Sequence, residues 1–279
     1  MINILFCGNS KVFDGALTEL LSITNKTKSA ITCYIFTMDA TNLKPEYTSI
    51  SEKECNFLDE IIKTKNSQNK VIRVDVTDIY KREFSGSKNE NAYCTPYTLL
   101  RLLADLIPNM PDKLLYLDID MMIGGDIEEL YNQDIRGYEY AAVKEKYGCW
   151  IIRPDYINAG MLLLNMKKIK ETKLLEKARQ KIRNKKMIFA DQDAIFWCTT
   201  KKKHLPRIYN EQSRFNKKDT VICHFCKRMI WFPYPRTENI KQWHIEKVHK
   251  VLKCYAFDED LKEYVQWKNK YNSIEGEKI

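Results

Sequence analysis

The sequence predicts an α/β fold with a mixed, mostly parallel sheet flanked by helices. Short runs rich in Val, Ile, Leu and Tyr alternate with amphipathic helical patterns, which is the spacing of βαβ units. One run, LLYL at 114–117, is apolar throughout, as in a strand buried on both faces of a parallel sheet. Two aspartates follow it directly, at the strand end where open α/β sheets bind ligands.

The individual elements follow from local patterns. Strands are predicted at 2–7, 30–38, 71–76, 114–118, 140–143, 161–166 and 220–224. Helices are predicted at 15–24, 52–63, 96–107, 168–183, 191–200 and 240–254. Ser51 and Glu54 form a capping box at the start of the second helix. The stretches 85–91 and 144–156 lack an apolar period, so we expect them to be the most mobile, with the second as a lid.

The domain boundary is predicted near residue 250. Residues 1–250 form the predicted catalytic domain, and after Cys254 the chain becomes charged and aromatic. We therefore expect 251–279 to be a short helical appendage with a frayed end.

Composition excludes several classes of protein. No stretch reaches the ~18 apolar residues of a spanning helix, and the first residues lack the basic start of a signal peptide, so the expected location is cytoplasmic. Nine irregularly spaced cysteines form no disulfide framework, which fits a reducing compartment. The net charge of +9 is dispersed and lacks interleaved aromatics, so no nucleic-acid partner is expected. It favours anionic ligands such as nucleoside diphosphates, and a weak peripheral contact with the inner face of an anionic membrane.

Asp118 and Asp120 carry the clearest chemical signal. Side chains alternate along a strand, so both carboxylates project to one face and Ile119 to the other. Two such anions repel each other unless a cation joins them. Mg²⁺ or Mn²⁺, held by carboxylates together with substrate phosphate oxygens, is the usual solution.

Six motifs then occur in an order typical of one family. They are NILFCGN at 3–9, Arg101, YLDID at 116–120, YINAG at 156–160, DQDAIF at 191–196, and HF at 224–225. From residue 2 to about 235 the chain resembles the family 8 glycosyltransferases. The resemblance implies the GT-A fold, a Rossmann-like sheet, and a metal-dependent, retaining transfer of a sugar, mostly from UDP-galactose or UDP-glucose.

The resemblance also implies roles for individual residues. Mn²⁺ or Mg²⁺ would be held by Asp118, Asp120 and His224. The residues implied to contact the donor are Cys7, Asn9, Arg101, Asp118, Ile119, Asn158 and Gly160. Asp191 would accept hydrogen bonds from sugar hydroxyls, and the Gln192 carbonyl would lie under the anomeric carbon. The implied acceptor is a saccharide or glycolipid, as in the synthesis of lipopolysaccharide or capsule.

The chain departs from the family after His224. Where relatives commonly read H-F-x-G-x-x-K-P-W, this sequence reads HFCKRMIWFPYP, and the expected lysine is Ile230. A diphosphate leaving group still needs a cation besides the metal. We therefore predict that Lys227 or Arg228 supplies that charge, and that Trp231 and Phe232 close the site against water.

Two other classes of protein stay open as alternatives. A haloacid-dehalogenase-like phosphatase also has a DxD after an apolar strand, but it has Thr or Val soon after the second Asp, where this chain has Met121 and Met122. A non-enzymatic zinc or nucleic-acid-binding module is suggested by Cys223 and Cys226, although such sites need a second ligand pair.

Overall fold

The computed structural model describes residues 1–90, 95–230 and 232–276. Outside the described residues lie Cys94, Trp231, the last residue of the predicted loop 85–91, and the last three residues of the predicted C-terminal tail 251–279. The strands are β1 (Ile2–Cys7), β2 (Ile31–Thr37), β3 (Lys70–Asp75), β4 (Lys113–Leu117), β5 (Met121–Ile123), β6 (Tyr140–Lys144), β7 (Ile157–Asn165), β8 (Lys202–Leu205), β9 (Ile222–His224), β10 (Arg228–Ile230) and β11 (Arg236–Glu238).

The helices lie mainly between these strands. The α-helices are α1 (Phe13–Lys26), α2 (Glu52–Lys65), α3 (Thr77–Phe84), α4 (Glu128–Tyr131), α5 (Gly148–Ile151), α6 (Met166–Thr172), α7 (Leu174–Asn184), α8 (Ala190–Cys198), α9 (Ile245–Lys250) and α10 (Asp258–Gly276). The 3₁₀ helices are Ser10–Val12, Pro96–Leu106 and Arg207–Tyr209. None of the described helices is both long and apolar enough to cross a bilayer.

The main sheet confirms the predicted fold class. Its seven strands run in the order β3-β2-β1-β4-β7-β6-β8. Strand β7 is antiparallel to both neighbours, β4 and β6, whereas the other pairs in the sheet are parallel. Both faces are covered: Leu115 and Leu117 of β4 belong to one apolar core, and Leu114 and Tyr116 belong to the other. A strand buried on both faces explains the unbroken apolar run.

Several predicted elements differ from the observed ones. The helix predicted at 168–183 is two helices, because Lys173 adopts the left-handed region with φ 57° and separates α6 from α7. The helix predicted at 240–254 contains only the short α9. Helix α3 and the polar edge strand β8 were not predicted; β8 is too short and too polar to show an apolar pattern. Lysines on an edge strand discourage pairing with another chain.

The C-terminal segment packs closely on the rest of the chain. Tyr271 of α10 lies 4.7 Å from Phe13 and 5.0 Å from Phe57, measured between ring centroids. Lys268 forms a 2.7 Å ion pair with Asp14 of α1. The division of the chain at residue 250 stays a prediction, and helix α10 covers the outer side of α1.

Candidate active site

The three predicted metal ligands converge at the end of β4. Strands β5 and β9 pair antiparallel, with Met121 opposite His224, and this pairing brings the imidazole beside the aspartates. The Nε2 atom of His224 lies 3.0 Å from Asp120 Oδ1 and 3.7 Å from Asp118 Oδ2. One ligand atom from each of the three residues lies within 4.8 Å of the others.

The hydrogen bonds around His224 orient it as a ligand. Its Nδ1 lies 3.0 Å from Asn210 Oδ1, and the Asn210 amide donates to Asn158 Oδ1 at 2.9 Å. An amide oxygen can only accept, so Nδ1 carries the proton and the Nε2 lone pair faces the carboxylates. Asp120 Oδ1 is buried without a hydrogen-bond donor among the residues that the structure describes. The Nε2 lone pair of His224 lies beside two carboxylates, and one carboxylate oxygen accepts no hydrogen bond among the described residues. This arrangement suits a divalent cation.

Gly160 makes room for this arrangement. A Cβ atom built on Gly160 would lie 2.4 Å from His224 Cε1 and 2.9 Å from Asp118 Oδ2. Any larger residue would therefore push the histidine and the aspartate apart. The family resemblance implied that Gly160 contacts the donor; the structure adds that Gly160 allows close approach of the metal ligands.

Arg101 connects Asp118 to Asp191. It is 3% exposed, and its Nη2 donates to Asp118 Oδ1 at 2.9 Å while its Nε lies 3.0 Å from Asp191 Oδ2. Its guanidinium stacks 3.9 Å above the Tyr116 ring, and Nη1 donates to Ala159 O at 2.5 Å. These protein contacts make Arg101 a positioning residue for both carboxylates; its contact with a donor stays a prediction.

Asp191 is buried at the start of α8. Burial raises its pKa to about 6, the Asp118 charge adds to this, and the charge of Arg101 opposes it. The preceding Ala190 has φ 36°, a conformation that costs an L-residue energy and that the surrounding structure must hold. Asp193 does so: its Oδ2 accepts the backbone N–H groups of Ile188 and Phe189 at 3.1 and 2.9 Å. Asp193 is thus a supporting residue that the sequence did not reveal.

Gln192 is fixed at both ends of its amide. Its Oε1 accepts the Ala159 N–H at 2.9 Å, and its Nε2 donates to the Tyr156 hydroxyl at 3.1 Å. That hydroxyl in turn donates to Asp193 Oδ1 at 2.5 Å. The second lone pair of Gln192 Oε1 has no protein donor among these bonds.

These groups share a cleft of about 640 Å³. The predicted site residues that line it are Arg101, Asp118, Asp120, Asn158, Gly160, Asp191, Gln192, His224, Lys227 and Arg228. Cys7, Asn9 and Ile119 are absent from this lining as far as the structure describes the chain; Cys7 ends β1, Asn9 follows β1, and Ile119 follows β4. Burial raises the pKa of the Cys7 thiol, and Asn9 and Ile119 are buried.

Lys241 is a second basic residue that reaches a metal ligand, besides Arg101. Its Nζ lies 2.5 Å from Asp120 Oδ2. Burial opposes the charge of Lys241, but Asp120 outweighs burial and raises the pKa of the lysine. The same ion pair holds the pKa of Asp120 far below its usual value despite burial.

The sequence contained a signal for Lys241. Lys241-Gln242-Trp243 repeats the K-x-W spacing of the family motif, displaced by the hairpin formed by β10 and β11. Fixed spacing after His224 assigned the expected lysine to Ile230, because the hairpin that separates His224 from Lys241 is visible only in the fold.

Lys227 and Arg228 are the residues predicted to replace the family's lysine, and both line the cleft. The Arg228 guanidinium stacks 4.4 Å above the Phe215 ring, and its buried Nε and Nη2 have no hydrogen-bond partner among the described residues. Phe232 is exposed at the hairpin tip and does not cover the cleft, whereas Trp231 lies outside the described residues. That either basic residue supplies the charge stays a prediction.

The cysteines that suggested a zinc module form no such site in the described part of the chain. Asp118, Asp120 and His224 are the group of potential ligands found there, and neither Cys223 nor Cys226 joins another. Cys223 is buried, and its thiol faces the Phe215 carbonyl oxygen at 3.8 Å.

Known proteins share this sequence pattern and fold. The sequence profile of glycosyl transferase family 8 matches residues 3–246. A lipopolysaccharide 1,2-glucosyltransferase of Escherichia coli K12 is 26% identical over 202 residues, covering 58% of this chain and 56% of the relative. A glycosyltransferase of Haemophilus influenzae is 26% identical over 196 residues, covering 58% of this chain and 59% of the relative. The chain thus spans less than two thirds of the length of these relatives.

Solved structures share the architecture at low sequence identity. Galactosyltransferase LgtC in complex with donor and acceptor sugar analogues has a TM-score of 0.64 and 16% identity, with 96% of both chains covered. Glycosyltransferase GlyE of Streptococcus pneumoniae has a TM-score of 0.63 and 17% identity, covering 99% of this chain and 65% of that chain. At these sequence identities, the similarity shows a shared fold.

Proposed function

Because the chain belongs to glycosyl transferase family 8, we propose that it transfers a hexose from UDP-glucose or UDP-galactose to a saccharide or glycolipid acceptor, with retention at the anomeric carbon. The observation that supports this best is the convergence of Asp118, Asp120 and His224 on a cleft that also contains Asp191 and Gln192. We assign this activity to residues 1–250.

The diphosphate end of the donor would bind at the aspartates. A bound Mn²⁺ or Mg²⁺ would supply positive charge for the leaving phosphate. Among the chain's own residues, Lys241 lies at the aspartates, and the Arg228 guanidinium in the cleft wall has two nitrogens without a hydrogen-bond partner among the described residues. Either cation stabilises negative charge as it develops, and the cleft walls strengthen that interaction by excluding water.

The sugar would lie between Asp191 and Gln192. At pH 7 a carboxyl group with a pKa of about 6 is mostly ionised, so Asp191 can accept hydrogen bonds from sugar hydroxyls. Gln192 is neutral and held by two hydrogen bonds, which makes it a poor nucleophile but a fixed dipole. This supports front-face substitution, in which the departing phosphate takes the proton of the acceptor hydroxyl.

The acceptor is proposed to be a growing surface glycan handled at the cytoplasmic face of a membrane. The E. coli relative is named a lipopolysaccharide glucosyltransferase, which supports this class of acceptor. The loop 144–156 and the hairpin of β10 and β11 both contribute residues to the cleft lining, and the loop would contact the acceptor.

A donor screen tests the proposal. We expect UDP release from UDP-glucose or UDP-galactose that depends on Mn²⁺ or Mg²⁺, with an α-glycoside as the initial product by NMR. Asp118→Ala and Asp120→Ala should each lower kcat by about 100-fold or more, from the several kcal/mol of metal electrostatics. Asp219→Ala, which removes an exposed aspartate paired with Lys217, is the matched control. Full activity of Asp118→Ala in chelator, or a β-glycoside product, would contradict the proposal, and phosphate release from a simple phosphomonoester would favour the phosphatase.

A further inference from the structure

Exposed apolar side chains concentrate around the mouth of the cleft. Three segments far apart in sequence meet there: the loop 144–156, residues 185–189, and the hairpin 227–238. We call their eight exposed large apolar residues the apolar rim; they are Tyr147, Trp150, Ile151, Ile188, Phe189, Met229, Phe232 and Tyr234. Five of the eight line the cleft itself.

The most exposed members of the apolar rim come from all three segments. Trp150 is 87% exposed, Phe232 85%, Ile151 81% and Ile188 75%. A stable protein interface needs a densely packed patch around buried anchors, and these highly exposed side chains, divided among three segments, do not form one. Exposed aromatic and aliphatic side chains are suited to insertion between lipid headgroups, where Trp and Tyr keep their polar atoms in water.

The same three segments are strongly basic. They contain the basic residues Lys144, Lys146, Arg153, Lys185, Lys186, Lys227, Arg228 and Arg236, against the acidic residues Glu145, Asp155 and Glu238. These segments thus carry a net charge of +5 out of the chain's +9. Lysines beside exposed apolar tips are the arrangement that binds a surface of anionic lipids, since the charges attract the headgroups and the tips enter the boundary of the acyl chains.

We propose that the apolar rim docks on an anionic lipid bilayer, with the cleft opening onto the membrane surface, so that the acceptor is a lipid-anchored glycan. The proposal that the rim docks on a bilayer rests on the exposure of the apolar side chains and on the basic charge of their segments. The identity of the acceptor rests on the proposed function, because it takes the cleft as the place of sugar transfer.

The experiment measures sedimentation of the full chain with vesicles of phosphatidylcholine, with and without phosphatidylglycerol. We expect binding to the anionic vesicles, weakening as salt screens the charges. Trp150→Ser/Tyr234→Ser should reduce binding by at least 10-fold. The matched control Trp197→Ser/Tyr255→Ser removes the same residue types from exposed positions elsewhere and should change binding by less than twofold.

A charge-reversal variant and its matched control test the electrostatic contribution to vesicle binding. Lys185→Glu/Lys186→Glu should abolish binding at low salt, whereas Lys247→Glu/Lys250→Glu, on the exposed surface of α9, should have little effect. Equal losses in the rim and control variants would overturn the proposal, as would no binding of the wild type. Concentration-dependent dimerisation that Trp150→Ser/Tyr234→Ser removes would assign the rim to self-association instead.

UDP release separates this inference from the proposed function. Sugar transfer to a water-soluble saccharide without vesicle binding would refute only the membrane proposal. Rim-dependent vesicle binding without UDP release from any donor would refute only the glycosyltransferase proposal.

Discussion

Replacing Lys241 by Met should separate metal binding from turnover. The lysine forms a 2.5 Å ion pair with Asp120 Oδ2, on the carboxylate whose other oxygen faces His224. In the protein without metal, the lysine is the principal counter-charge of a mostly buried aspartate. Because the pKa of Lys241 is raised, the pair is fully formed at pH 7.5 and is lost only as pH rises through the folded pKa of the lysine.

The size of the effect follows from this pair. A hydrogen bond to a charged group is worth about 1.5–3 kcal/mol, so Lys241→Met should lower the free energy of unfolding of the metal-free protein by about 2 kcal/mol. For a chain of this size that corresponds to a fall in Tm of roughly 4–8 °C. Removing the competing cation should also tighten Mn²⁺ binding by about 10-fold, since Asp120 no longer exchanges one counter-charge for another. Activity should nonetheless fall by about 10-fold to 100-fold, because the leaving phosphate loses a cation.

Three measurements on one variant check this reasoning. Tm is recorded by calorimetry with chelator and with saturating Mn²⁺, where the Tm deficit should shrink. Mn²⁺ affinity is measured by titration without nucleotide, and kcat by UDP release. Lys250→Met, which breaks an exposed pair with Glu246, is the control and should change none of them. Weaker Mn²⁺ binding in Lys241→Met, or an unchanged Tm in chelator, would refute the account of Asp120.

Three further predictions concern the rest of the site. Gly160→Ala should weaken Mn²⁺ binding by roughly 10-fold to 100-fold, because the added methyl group displaces two metal ligands. The control Gly276→Ala, where a Cβ meets open space, should leave Mn²⁺ affinity unchanged. Equal Mn²⁺ affinity in both variants would mean that the ligands adjust freely. The kcat/KM for UDP release should fall as pH drops below about 6, reaching roughly a tenth of its neutral-pH value at pH 5, because Asp191, with its raised pKa, is protonated there. A kcat/KM that stays constant down to pH 5 would exclude an essential Asp191 anion. Lys227→Ala or Arg228→Ala should lower kcat by about 10-fold to 100-fold if that residue neutralises the diphosphate, and unchanged kinetics in the double variant would leave the role to another cation.

The sequence determined those features that depend on local pattern. Apolar runs located the strands of the main sheet except β8, and the capping box at Ser51 and Glu54 was predicted and is present. The placement of Asp118 and Asp120 at a strand end also followed from one segment, because the apolar run locates the strand before them. The predicted alternation does not apply to the pair, since β4 ends at Leu117 and residues 119–120 form a turn. The order of motifs indicated the family, which the match over residues 3–246 confirms.

The tertiary structure decided which distant residues meet. Pairing of β5 with β9 brings His224 to the aspartates, and only that pairing identifies Asn210 as the residue that fixes its tautomer. The inserted hairpin concealed Lys241, because sequence spacing cannot tell an insertion from a substitution. The apolar rim could not be predicted from the sequence either. Its residues come from three separate segments, and only the folded sheet brings those segments together at the cleft. Local chemistry fixes the conformation of a segment, whereas a site depends on distances between segments, and those distances exist only once the core has packed.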